Sequence, residues 1–214
     1  MAAKKVPADL KVFGLNCSLK SSKDSEKSST DALMQQLFGE LAKNGAIGKI
    51  LRAADYTIKP GVKSDEGKGD DWPGLRRQLL AADILVIGAP IWLGQPSSIA
   101  KRVMERMDAF LDEKDARGRM PSYGKVVIAA IVGNEDGAHH TAAEILSGLI
   151  EVGFSVPSGG ATYWVGEAMG SKEYKEFKKA PKAVAKWNEM LASNTAHLAR
   201  LLKGEQYPGI AGGR

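Results

Sequence analysis

Apolar residues in this chain fall into short unbroken runs, separated by stretches in which they recur every three or four positions. The runs are Leu10–Leu15, a weaker one at Ile47–Leu51, then Ile84–Ile87 and Val126–Val132. A fifth candidate lies between Phe154 and Trp164, interrupted by Pro157-Ser158-Gly159-Gly160. A continuous apolar run of strand length predicts a strand buried on both faces, because helices cover both sides of a parallel sheet. Between the runs lie helical stripes. One comprises Leu33, Met34, Leu37, Phe38 and Leu41 after Thr30; another carries Val103, Met107, Phe110 and Leu111 in a segment from Ser97 to about Leu111. A third has Ala142, Ile145, Leu146 and Leu149, and a fourth runs from Val184 through Trp187 and Leu191 to Leu202. These spacings match one face of an α-helix. The alternation predicts an α/β fold: a doubly wound five-stranded parallel sheet with helices on both faces. Five strands favour the order 2-1-3-4-5 over the six-stranded dinucleotide-binding arrangement.

The length fits one domain spanning residues 1–214. Lys59 to Gly69, rich in Gly and Lys, is expected to be an exposed loop, and Glu205 to Arg214 a frayed tail. With 43% hydrophobic and 26% charged residues, the composition is that of a soluble globule. No apolar run approaches the roughly 20 residues of a membrane span. Met1-Ala2-Ala3-Lys4-Lys5 has no apolar stretch behind its lysines, which argues for a cytoplasmic protein without a secretory leader. A lone cysteine, Cys17, excludes an internal disulfide framework and disfavours a cysteine-ligated cluster. The net charge of +5 suits an anionic small molecule. Lys172, Lys175, Lys178, Lys179, Lys182 and Lys186 alternate with Glu173, Glu176 and Glu189, which reads as a solvated helix face rather than a nucleic-acid surface.

Ligands of such sheets bind beyond the carboxyl ends of the strands, so the loops there carry the functional signal. After the first strand, Ser18, Lys20, Ser28, Ser29 and Thr30 precede a helix, with Thr30 or Ser29 as its expected N-cap. Hydroxyls and free amides at a helix N-terminus form a phosphate site. Neither Gly-Lys-Ser/Thr nor G-x-G-x-x-G is present, so a monophosphate fits better than a pyrophosphate. After the third run, which stops at Gly88, comes a loop with Pro90, Ile91, Trp92, Leu93 and Gly94, suited to a flat ring. After the fourth run, Gly133, Asn134, Glu135, Asp136 and Gly137 form another, with Asn134 or Asp136 able to cap the following helix. Tyr163 and Trp164 are candidates for the same mouth. His139 is a candidate ligand contact and His140 a structural one; adjacent histidines on a helix diverge by about 100°, so no metal site is assigned. Cys17 reads as a small packed residue in preference to a reactive thiol.

Ser18-Leu19-Lys20 followed by Ser28-Ser29-Thr30, together with Ala89-Pro90-Ile91-Trp92-Leu93-Gly94-Gln95 and Gly133-Asn134-Glu135-Asp136-Gly137, resembles the NAD(P)H-dependent FMN reductase and flavodoxin-like family over about Lys11 to Leu202. Lys20 stands where that family usually has arginine, and Ser21 to Lys27 lengthen the loop. The resemblance implies a flavodoxin-like fold and non-covalent FMN, its phosphate on the first loop and its ring between the other two. It also implies NAD(P)H as co-substrate, a flavin, quinone or similar small acceptor, and a homodimer or homotetramer. The flavin would carry the redox chemistry, so no catalytic side chain is assigned. Two alternatives remain: a flavodoxin-type electron carrier, and a non-enzymatic FMN-binding regulatory protein.

Overall fold

The computed structural model describes residues 9–168 and 170–210; the N-terminal lysines and the last four residues of the tail lie outside this range. The central sheet consists of β1 (Leu10–Asn16), β2 (Ala46–Arg52), β3 (Ile84–Trp92), β5 (Val126–Gly133) and β6 (Ala161–Val165), all parallel, in the order β2-β1-β3-β5-β6. A two-residue strand, β4 (Gln95–Pro96), turns back antiparallel on the end of β3. Leaving β4 aside, this is the expected 2-1-3-4-5 order, and the fold is flavodoxin-like.

Helices α1 (Ser29–Lys43) and α5 (Lys182–Gly204) cover one face of the sheet, burying Leu33, Leu37 and Leu191 against Val12, Ile84 and Ile128. On the other face, α2 (Trp72–Leu80), α3 (Ser98–Met107) and α4 (Ala138–Glu151) pack Leu75, Val103 and Ile145 on Phe13, Leu85 and Val127. Strands β3 and β5 are central and buried almost throughout, which is why they read as solid apolar runs. Gly88 has a steric role: a Cβ there would lie 2.2 Å from the Met34 sulfur, so its absence lets α1 start directly over the strand end.

Three expectations need correction, and a fourth gains a detail. β3 does not stop at Gly88 but continues through Pro90 and Trp92, leaving only Leu93 and Gly94 as the turn. Pro90 is tolerated because β1 pairs no further than Gly88, so β3 has only β5 beside it there. Secondly, the lysine-rich stretch is not all helix: α5 begins at Lys182, and Lys172 to Lys179 belong to a strap containing a single 3₁₀ turn, Tyr174–Glu176.

Thirdly, the described part of the tail is docked. Tyr207 packs edge-on to Tyr123 with ring centroids 5.6 Å apart, and its hydroxyl hydrogen-bonds Ser155 Oγ at 3.0 Å. Finally, Lys59–Gly69 is mostly exposed, as expected, but encloses a buried anchor. Arg106 of α3, with no exposed surface, donates to the carbonyls of Lys59 (3.0 Å) and Lys63 (2.8 Å) and to the Asp70 carboxylate (2.7 Å). No described helix is long and apolar enough to cross a membrane.

Candidate functional site

The carboxyl ends of β1, β3, β5 and β6 surround a cavity of about 360 Å³, within the size range of small-molecule sites. From the first loop it is lined by Ser18, Lys20, Ser28, Ser29 and Thr30; from the second by Pro90, Ile91 and Trp92; from the third by Gly133, Asn134 and Glu135. These three segments, far apart in sequence, meet at one hollow. Leu93, Gly94, Asp136 and Gly137 do not line it: the first two form the hairpin tip and the last two lead into α4.

Ser28, not Ser29 or Thr30, caps α1, its hydroxyl accepting from the Asp31 amide at 3.2 Å. Asn16, buried at the end of β1, holds the loop by accepting from the Ser18 amide (2.9 Å) and donating to Ser28 Oγ (3.4 Å). The amides of Leu19, Lys20, Ser29 and Thr30 donate to no described residue. Free donors at the N-terminus of a 15-residue helix are the arrangement that suits an anion. Lys20 bonds Glu26 at 2.7 Å, and Glu26 also takes Lys175 at 2.5 Å. Hydrogen bonds from Lys175 and then Lys20 hold the Glu26 carboxyl down at about 2.

Cys17 is fully buried and burial pushes its thiol up to about 12, so it packs rather than reacts. Its backbone joins two loops. The Cys17 amide donates to the Gly88 carbonyl at 2.7 Å, and its carbonyl accepts from Ser97 Oγ at 2.6 Å. The same Ser97 hydroxyl caps α3 by accepting from Ala100.

On the ring side, the β3–β4 hairpin turns through Leu93 (φ +52°) and Gly94 (φ +73°). Both positions are left-handed, as tight two-residue hairpins require, although leucine pays for that conformation in strain. The turn is held by Glu135, whose carboxylate accepts from the Leu93 amide at 2.8 Å, and by contact with Gly137, where a Cβ would lie 2.7 Å from Gly94 Cα. Trp92 is 52% exposed and Leu93 90% exposed, so the tip is a bare apolar surface beside the cavity. Helix α4 is capped by Gly137 with no side-chain bond; Asn134 instead donates to the Gly170 carbonyl at 2.7 Å.

A fourth wall comes from Trp164 near the end of β6 and from Ser171, Glu173 and Tyr174 of the strap that follows it. Trp164 was anticipated from its place after Gly159-Gly160. Ser171, Glu173 and Tyr174 were not, because the lysine–glutamate alternation around them resembles a solvated helix. Trp164, Tyr174 and Phe177 pack as an aromatic trio with centroids 5.4–5.9 Å apart, seating the strap on β6. Burial pushes the Tyr174 phenol up to about 12, and the phenol donates to Gln36 Oε1. Tyr163 does not reach the cavity. It packs edge-on to His139, centroids 5.0 Å apart, and His139 also lies outside the lining. His140 bonds Gln95 (3.0 Å) and Glu144 (2.8 Å), a structural role.

Residues 10–169 match the NADPH-dependent FMN reductase family. The chain belongs to that family. Membership brings the family's chemistry: an FMN-dependent oxidoreductase class, with FMN as cofactor, NAD(P)H as reductant and small molecules as substrates. The chain is 32% identical over 208 residues to 8-demethyl-8-aminoriboflavin-5'-phosphate synthase of Streptomyces davaonensis, covering 92% of this chain and 80% of that one. It superposes with a TM-score of 0.84 and 33% identity on the crystal structure of RosB with the bound intermediate 8-demethyl-8-formylriboflavin-5'-phosphate, over 93% of this chain and 82% of that one. It is also 34% identical over 205 residues, 91% of its length, to the divalent metal cation transporter MntH of Mycobacterium bovis, but spans only 29% of that protein.

The residues present fit the family's flavin. The free amides and hydroxyls at the start of α1 suit its phosphate, and the half-exposed Trp92 with Pro90 and Ile91 suits a flat ring.

Proposed function

We propose that the chain, acting as one domain, binds FMN in this cavity and uses NAD(P)H to reduce a flavin, quinone or similar small acceptor. The reading is carried by one observation: the unpartnered amides of Leu19, Lys20, Ser29 and Thr30 and the exposed Trp92 border the same hollow. Ser18, Lys20, Ser28, Ser29 and Thr30 would hold the phosphate; Pro90, Ile91 and Trp92 would bound one side of the ring, with Leu93 and Gly94 supporting them as the hairpin tip outside the lining. Gly133, Asn134, Glu135, Asp136 and Gly137 would border its other edge, with the cavity-lining three in contact and Asp136 and Gly137 supporting them. Bound there, FMN supplies hydride acceptance and donation. The chain's own part is to orient the ring, neutralise the phosphate and leave one face open to the nicotinamide. The protein is proposed to work in the cytoplasm as a homodimer or homotetramer, which size-exclusion chromatography with light scattering tests.

The deciding experiment is an absorbance spectrum of the purified protein, followed by FMN titration and NAD(P)H oxidation with a quinone or free flavin. A yellow protein, or saturable quenching of flavin fluorescence with nicotinamide turnover, supports the proposal. A colourless protein that leaves flavin fluorescence unchanged overturns it.

A second reading is favoured by the 33% identity and TM-score of 0.84 to a structure holding a formyl-flavin phosphate. In it the flavin is itself the substrate, altered on its ring. Mass spectrometry of the flavin after turnover separates the two: an unchanged mass supports the reductase, and a changed mass supports flavin processing.

A further inference from the structure

The anion site beside α1 already contains a carboxylate. Glu173, from the strap, lines the cavity and accepts the Ser29 hydroxyl proton through Oε2 at 3.2 Å. The Ser29 oxygen in turn accepts from the Lys175 amide at 3.2 Å. Two lysines stand nearby, but both are committed: Lys20 to Glu26 at 2.7 Å, and Lys175 to Glu26 at 2.5 Å and Glu173 at 2.9 Å. The cluster of two lysines and two glutamates is therefore neutral as it stands. A phosphate dianion approaching Ser29 meets a carboxylate that already uses the hydroxyl it needs.

Resting on the flavin reading above, we propose that Glu173 is a resident anion of the phosphate cradle: a phosphorylated flavin displaces it from Ser29, and it thereby limits the site's preference for FMN over riboflavin. Displacement leaves Lys175 balanced by Glu26 alone and gives the Ser29 hydroxyl to the phosphate. At Ser29 each step exchanges one charge-assisted hydrogen bond for another, so this contact adds little to what the phosphate gains from the free amides, and the carboxylate's charge opposes that gain. The consequence is a flavin that exchanges rather than one held permanently. That suits a protein that takes flavin as a substrate.

The test is a fluorescence titration of FMN and riboflavin against the wild type, Glu173→Gln and Glu173→Asp. Glutamine keeps the shape and can still accept the backbone bond by which Glu173 caps the Tyr174–Glu176 turn, but removes the charge. Expected is an FMN affinity about tenfold higher in Glu173→Gln, as for one like charge removed at close range. Riboflavin should change less than about twofold, and Glu173→Asp should stay near the wild type. Inorganic phosphate should compete with FMN more strongly in Glu173→Gln. An unchanged or weakened FMN affinity in that variant overturns the proposal. So does a wild type that already prefers FMN by more than about a hundredfold, a measurement that needs no variant to fold. If neither flavin binds any of the proteins, the flavin reading fails and this inference with it. If both bind and only the expected change is missing, the flavin reading stands and Glu173 loses its role.

Discussion

Two loops of this molecule read much alike as sequence and differ in how deeply their charged anchors are buried. Ser18 to Ser28 and Lys59 to Asp70 are both rich in small and charged residues. The second, away from the cavity, closes around a buried guanidinium that bonds two backbone carbonyls and a carboxylate. The first, at the cavity, is tied by Asn16 at its root, by Arg52 donating to the Ser21 carbonyl (2.8 Å), by Asp55 accepting from the Ser22 amide (2.7 Å), and by the ion pairs of Lys20 and Lys175 with the exposed Glu26. Buried ion pairs resist rearrangement because neither partner can be left alone in a low-dielectric interior. Exposed pairs contribute little and exchange readily with water. A fully buried ion pair anchors the loop away from the cavity, and adjustable charge lies where an anion is expected.

The contrast is broken most severely by Arg106→Ala, which strands Asp70 and two carbonyls. Urea denaturation should record a loss of about 3–5 kcal/mol, and a loss below about 1 kcal/mol would falsify the account of an anchored loop. The next effect is on acid stability. Hydrogen bonds from Arg106 and from the Glu66, Lys59 and Trp72 amides outweigh burial and hold the Asp70 carboxyl well below the usual carboxylate range. A group lowered in the folded state contributes its stability fully above its unfolded pKa, near 4, and loses it as pH falls further. The urea midpoint should therefore decline below about pH 4, and the decline should be shallower in Asp70→Asn.

On the first loop the effects should be smaller. Ser28→Ala removes the cap of α1 and should cost about 1 kcal/mol, read as a lower melting temperature together with weaker FMN binding. Smallest of all, Glu26→Gln should leave the melting temperature unmoved while releasing Lys20 and Lys175, raising FMN affinity about two- to threefold at low salt. A large thermal shift there would show that the two loops are held alike after all.

The sheet was legible because β3 and β5 are covered on both sides, which forces runs such as Ile84–Ile87 and Val126–Val132. Helix α2 was missed: its nine residues bury only Trp72, Leu75 and Leu79, and it follows a loop whose Gly and Lys content masks the start. Arg106 was invisible for a different reason. In an amphipathic helix an arginine reads as solvent-facing, and only the incoming Lys59–Asp70 loop makes its position interior. Three walls of the cavity were readable from strand ends. The fourth, apart from Trp164, was hidden in the lysine–glutamate alternation, where Pro181 marked the true start of α5 and so the end of the strap. The docked tail had only Tyr207 to announce it.

Ser97 Oγ touches the backbone of Cys17 and the first turn of α3 at once, so the root of the first loop and the start of α3 cannot shift independently. Any movement of that loop on taking up a ligand is confined to the residues beyond Ser18.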